Sequence, residues 1–391
     1  MYNMSVNKKI TKMFVFCEFL CGLYILFYGE YVSDYLNVET NVKHIYIICF
    51  LICIVFFHYL FLYSWCILSV LFFRKSKLTT SVNINSIFLL LVIIYFIFLL
   101  KTGSGKVYAD GGSIGELSSF DKLLFFPIII LKLNFLIYIY AAGCKKKDNI
   151  YYLVLFIFLI CELYRGVSFS ILLIALIEIE KIKRCFRIKY LLISLPLFVL
   201  FVNIVYNIKF MVRLGEHYDY LDIFQTLIML LGRLSIISNV LYNYEHYYSV
   251  SNFVEGFGYS AINEFLEKLT PMPSLFGITE KTTEIGKLIF YHSYGRWDSA
   301  IAISVLGILS IVPGQLLEIC AILIISFVFI QLTINMLDNT EQQNTVAFFF
   351  IILTLYQGFW GLLANYVYAL FIYLIIIASC NLMMSKSKGR L

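Results

Sequence analysis

Apolar windows of about 20 residues, the length a helix needs to cross a hydrocarbon core about 30 Å thick, recur along almost the whole of this 391-residue chain. Of its residues 61% are hydrophobic and 14% are charged, against about 25% charged in soluble globules, so a water-soluble fold is excluded. Inside a bilayer every backbone N–H and C=O must be satisfied within the spanning structure, which leaves helices or a closed barrel. Barrel strands are short and alternate in polarity, whereas these windows are long and continuous. The expected fold is all-α: a polytopic integral membrane protein forming one transmembrane domain over 1–391, with one large extracytoplasmic loop at 209–298.

Ten spans are expected, at 12–29, 44–73, 84–100, 123–143, 149–164, 166–181, 190–208, 315–337, 345–361 and 363–384. With the N-terminus in the cytoplasm, the inner segments hold Lys8, Lys9, Lys12, Arg74, Lys75, Lys77, Lys145, Lys146, Lys147, Lys181, Lys183, Arg184, Arg187, Lys189, Lys386, Lys388 and Arg390, which is 17 of the 30 basic residues. The short outer loops carry only Lys43, Lys101, Lys106, Lys122 and Arg165. Cytoplasmic loops concentrate Lys and Arg, so both termini are expected inside and the block 209–298 outside. The net charge of +6 follows from those inner loops and calls for no nucleic-acid partner. Lys8, Lys9 and Lys12 before the first span resemble a signal-peptide start, but Glu18 and the lack of a small-x-small cleavage site favour a retained anchor helix.

Two segments of intermediate length bear on the parity. Ile223 to Tyr242 is expected as an amphipathic helix on or dipping into the outer leaflet. Ser299 to Val312, closed by Pro313-Gly314, is expected as a re-entrant or interfacial helix. Two further crossings there would leave the termini on the same side. The ten cysteines avoid 209–298; Cys17/Cys21 and Cys49/Cys53, each one helical turn apart, are expected as small buried apolar residues, not as disulfides or metal ligands.

Ionisable side chains at membrane depth cost roughly 2.5–3.5 kcal/mol each and call for a partner or a role. Arg233 emerges from an apolar surface of Met229, Leu230, Ile236 and Ile237, either as a ligand for an anion or snorkelling to headgroups. Arg165, in a tight turn before Gly166, either faces the phosphate level of the membrane or pairs with Glu162 three residues earlier. Lys132, in the span carrying Pro127, is placed to neutralise Glu18 or Glu162, or to reach the same anion. Arg213 follows the seventh span closely. The guanidinium fork suits phosphate, and Arg165, Arg213 and Arg233 at one level would hold a pyrophosphate.

The stretch Tyr291-His292-Ser293-Tyr294-Gly295-Arg296-Trp297-Asp298 brings together a proton acceptor (His292), an anion binder (Arg296), an acid (Asp298) and aromatic faces that stack on sugars or anchor at the interface. His292, Arg296 and Asp298 are the candidate catalytic residues. His217, His246, Glu255 and Glu264 are further candidates for the base. The first outer loop holds Glu30, Asp34 and Glu39, acids that would serve a polyprenyl-phosphate glycosyltransferase or an ordinary solvated loop. No P-loop, zinc-protease motif, serine-hydrolase elbow or dinucleotide fingerprint is present.

Cys161-Glu162-Leu163-Tyr164-Arg165-Gly166 resembles the outer Arg-Gly turn of the Wzy-type O-antigen polymerases, oligosaccharide repeat-unit polymerases related to the O-antigen ligases. Arg213 and Arg233 resemble the arginines of that family's large loop, and Ser299 through Pro313-Gly314 resembles the segment leading into its next span. The resemblance covers 149–314. Where the ligase relatives place a glycine about ten residues after a His-Asn pair, this chain has His292-Ser293 followed by Ile303, with Gly307 later. The resemblance implies metal-independent glycosyl transfer with no cofactor, from undecaprenyl pyrophosphate to an undecaprenyl-pyrophosphate-linked oligosaccharide at the outer face of a bacterial inner membrane. It implies membrane lipids and a chain-length regulator protein as partners. A flippase for lipid-linked oligosaccharide is the rival from another class.

Overall fold

Long runs of Leu, Ile, Phe and Tyr with few interrupting glycines or prolines let the apolar windows propagate as helices. The computed structural model describes residues 4–32, 38–71, 84–102, 131–144, 147–165, 188–214, 219–270, 283–295, 297, 300–337 and 340–388. Among them the regular structure is helical, and no strand is formed. An isolated antiparallel bridge joins Glu30 to Glu39.

Among the described residues, four helices are long and apolar enough to cross a membrane, through Thr11–Tyr28, His44–Trp65, Pro313–Met336 and Trp360–Cys380. A fifth candidate is a pair, Ile223–Arg233 and Ile237–Glu245, bent by 78° at its break. Shorter apolar helices include Asn85–Lys101, Leu133–Gly143, Asn149–Tyr164 and Pro196–Ile208. The expected span 166–181 lies outside the described residues; each of the others carries a described helix over all or part of its length.

The chain divides into two compact units. The first comprises Met1–Leu78 and Ile228–Tyr368. Its leading helices, α1 (Met4–Tyr28) and α2 (His44–Leu71), pack together. Cys17 and Cys21 are buried there, but Cys49 and Cys53 are exposed on α2, on a side that also exposes Ile45, Ile48, Ile52, Phe56 and Tyr59. The expectation that both pairs are buried is corrected for the second: thiols are apolar enough to sit on such a face.

The second unit comprises Thr79–Leu227 and Ala369–Leu391. In it α3 (Asn85–Thr102) lies along α5 (Asn149–Tyr164), with α4 (Leu133–Gly143) before α5 and α6 (Ile188–Leu214) after it. Asp148 caps α5 through Tyr151 N and accepts from Asn85 Nδ2 at 2.8 Å, while Asn85 Oδ1 accepts from Tyr140 at 2.9 Å. This polar knot pins the starts of α3 and α5 to the end of α4, satisfying helix-terminal donors that an apolar surrounding would otherwise leave open. Lys132, just before α4, adopts a left-handed conformation (φ 49°).

Downstream, α7 (Ile223–Arg233) starts in the second unit, where Asn203 and Asn207 of α6 bind the backbone of Leu221 and Asp222. The first unit then continues with α8 (Ile237–Glu245), α9 (Tyr247–Gly256), α10 (Ala261–Leu269), α11 (Ile285–Tyr294), α12 (Ser304–Ile311), α13 (Leu316–Met336) and α14 (Thr340–Ile351). A π-helical turn, Ile352–Gln357, leads into α15 (Trp360–Lys388). The eight residues of α12 are too few to span a bilayer at about 1.5 Å per residue. It packs against α8, α9 and the π turn, with Ser304, Val305, Gly307, Ile308 and Ile311 buried.

Candidate functional site

Glu18 holds the break between α7 and α8. Its side chain is fully buried and accepts from Ser235 Oγ at 2.6 Å, from the backbone N–H of Ile236 at 2.9 Å and from that of Ile237 at 3.2 Å. His58 Nε2 stands 3.3 Å from it. A carboxylate from α1 thus caps the positive end of α8. Where Lys132 was expected to neutralise Glu18, the carboxyl is held by these donors instead.

Four residues from the loop between α1 and α2 and from the end of α8 make a second polar cluster. Tyr31 donates a hydrogen bond to Glu245, and Thr40 Oγ1, Asn41 N and Asn41 Nδ2 donate to the same carboxylate at 3.3, 3.1 and 3.1 Å. Val32 N adds a bond to Ser238 Oγ at 3.0 Å. Glu245 therefore fastens the hairpin whose arms meet at Glu30 and Glu39. Asp34 lies outside the described residues.

The histidines lie next to this cluster. His246 follows α8, with its ring 4.5 Å from that of Tyr242, whose hydroxyl lies near that of Ser293, itself donating to Ile289 O at 2.9 Å. His292, half-buried on α11, is held below its ordinary 6.5 by burial and by the nearby His246; it is neutral at pH 7 and able to accept a proton. Its Nδ1 is buried without a hydrogen-bond partner. Beside it runs an aromatic wall, with Phe253 5.4 Å from His292, Phe253 parallel to Tyr291, and Tyr291 stacked on Trp297 at 4.1 Å.

Glu264, a further candidate base, is fully enclosed. It accepts from Gly361 N at 2.9 Å, Tyr259 Oη at 3.0 Å and Ile285 N at 3.4 Å. Burial pushes its carboxyl up to about 7, against the hydrogen bond from Gly361 and with repulsion from Glu284 added. Its oxygens join the starts of α11 and α15, so its role is to lock helices together. Glu255 is exposed on α9, and His217 lies outside the described residues.

Of the three arginines expected at a pyrophosphate, Arg165 caps the end of α5 in the second unit. It bonds Glu162 Oε1 at 2.8 Å and Tyr95 Oη at 2.9 Å. Arg233 ends α7, half-buried in the first unit. Arg213 falls in the last turn of α6, with its side chain outside the described residues, as are Arg296 and Asp298 altogether. Sequence reading passed over Tyr31, Tyr242 and Glu245. The adjacent Glu245-His246, breaking a run without other charges from Ser235 to Phe253, was the available signal. No protein-family model, curated protein or solved structure matches the chain.

Proposed function

We propose that this chain is a membrane-embedded glycosyltransferase that polymerises lipid-linked oligosaccharide repeat units. The growing glycan passes from undecaprenyl pyrophosphate to the next undecaprenyl-pyrophosphate-linked unit, on the periplasmic side of a bacterial inner membrane. In this reading about ten helices cross the bilayer, both termini are cytoplasmic and the block 209–298 is periplasmic, as in the Wzy-type polymerases that the sequence resembles.

The observation that carries the reading is the grouping of His292 with His246, Tyr242 and Ser293 in that block, beside an aromatic wall. Neutral His292 would take the proton of an acceptor hydroxyl as its oxygen bonds to the anomeric carbon and the bond to pyrophosphate breaks. Arg233 and Arg296 would stabilise the charge gathering on the leaving pyrophosphate. Arg165, already neutralised by Glu162, would set the adjacent turn.

The break between α7 and α8, with Glu18 and His58 buried at it, favours one other reading, a flippase for the lipid-linked unit, because discontinuous helices line many transport sites. A lipopolysaccharide gel from cells deleted for the gene separates the two. Collapse of the ladder to core plus one unit, restored by wild type and not by His292→Ala, is the polymerase result. Loss of the single unit as well would instead place the block at transport.

A further inference from the structure

Gly295 ends α11 with φ +65°, a conformation that L side chains rarely adopt. The reversal it permits carries Trp297 back over Tyr291, ring centroids 4.1 Å apart and planes within 16°. Phe257 meets Trp297 edge-on at 6.1 Å, and Phe253 lies parallel to Tyr291 at 6.0 Å. Four rings from α9 and the end of α11 thus form one wall. It is open to the outside, with Trp297 40% and Phe257 51% exposed.

From this arrangement we infer a carbohydrate subsite: Trp297, backed by the stacked Tyr291 and bordered by Phe257, binds the C–H face of a pyranose ring with its exposed face. A sugar needs a flat apolar face with polar groups at its rim. Here the wall continues through Phe253 to His292, with the Tyr242–Ser293 pair on the neighbouring residue. Exposed Asn252 and Glu255 flank it on α9. A lipid anchor needs no such rim, and an acidic residue at the headgroup level opposes anionic lipid. The sugar favoured is one presenting an unbroken C–H face. Its place beside His292 makes it the acceptor sugar; that last step rests on the polymerase reading, whereas the subsite does not.

The chain supplies its own reporter. Of its three tryptophans, Trp65 and Trp360 are buried at 2% and 0% exposure, which leaves Trp297 as the one open to ligand. The protein, purified in a detergent without a sugar headgroup, is titrated with the methyl glycosides of glucose, N-acetylglucosamine, mannose and rhamnose, and with glycerol as a hydroxyl control. The expected result is a saturable shift in emission with at least one glycoside and none with glycerol. Tyr291→Ala and Phe257→Ala should abolish the shift, Tyr291→Phe should keep it, and Trp297→Phe should remove the signal. No response to any glycoside overturns the subsite. So does quenching of Trp297 by nitroxide-labelled lipid in vesicles that no glycoside relieves, which would make the wall a membrane anchor. Glycoside binding together with a full polymer ladder in His292→Ala would keep the subsite and remove the proposed base. Absent binding together with a lost ladder would do the reverse.

Discussion

The guanidinium of Arg165 stands 2.8 Å from Glu162 Oε1, three residues earlier in the chain, and the Glu162 side chain has no exposed surface. Removing one partner of such a pair strands the other, which typically costs about 3–5 kcal/mol. Arg165→Ala should therefore lower the unfolding temperature of the purified protein and its level in the membrane, whatever the residue does in catalysis. Arg165→Ala combined with Glu162→Gln should recover much of both. A normal unfolding temperature in Arg165→Ala alone would mean that the pair carries no structural weight. Only the stable double variant can then report on polymer length.

Glu264 makes stability depend on pH. Its folded value of about 7 exceeds the ordinary carboxylate 4.5, so the folded state holds the proton more tightly than the unfolded chain. The stability this contributes is complete below pH 4.5 and is lost as pH rises through 7, a loss on the order of 3 kcal/mol. Glu264→Gln resembles the protonated form and should be the more stable protein at pH 8, with little difference at pH 5. Thermal unfolding at the two pH values checks this, and parallel curves for both proteins would refute it.

Gly358 closes the π turn at φ +61°, where an added Cβ would stand 2.8 Å from the backbone of Ser304. Ser304 is itself held at φ 66°. Neither backbone can yield cheaply, so Gly358→Ala should destabilise the first unit by more than about 1 kcal/mol. An unchanged unfolding curve would show that α12 can retreat.

Glu245→Ala should release the hairpin fastened by Tyr31, Thr40 and Asn41. Each donor left unmatched costs about 1–3 kcal/mol where it is buried. Hydrogen exchange at the amides of Tyr31, Thr40 and Asn41 should quicken, while that of α13 stays the same. Equal protection in the variant would show that the bond from Val32 to Ser238 suffices.

His292→Ala should block polymer formation with the protein inserted at normal levels. Since burial and His246 hold His292 below 6.5, the acid limb of the polymerisation pH profile should also fall below 6.5. A limb at higher pH would assign the base to another group.

The strongly apolar helices were legible because length and hydropathy alone decide them; the expected 149–164 is the observed Asn149–Tyr164. The single amphipathic segment 223–242 was not legible as two helices bent at Ser235. Nothing local forces that break, since the groups that stabilise it are a carboxylate from α1 and a histidine from α2. The site divides in the same way. Arg165 and Glu162, three apart on one helix, could be paired from their spacing, whereas Glu264 reaches Ile285 and Gly361 only through the fold. The Tyr291–Trp297 stack needed the conformation of Gly295, which sequence suggests without fixing.

The capping of α8 by Glu18 also sets a timetable for biogenesis. The carboxylate and the serine that receives it are 217 residues apart, and at translation rates of about 5–20 residues per second their meeting is delayed by roughly ten to forty seconds. Throughout that interval the first helix is already made, and of the partners of Glu18 named above only His58 of α2, 40 residues on, has been synthesised. The nascent protein must shelter that side chain, against His58 or in the insertion machinery, until Ser235 is synthesised. Crosslinking from position 18 in stalled chains should accordingly capture the insertase when translation stops short of Ser235 and lose it in longer chains.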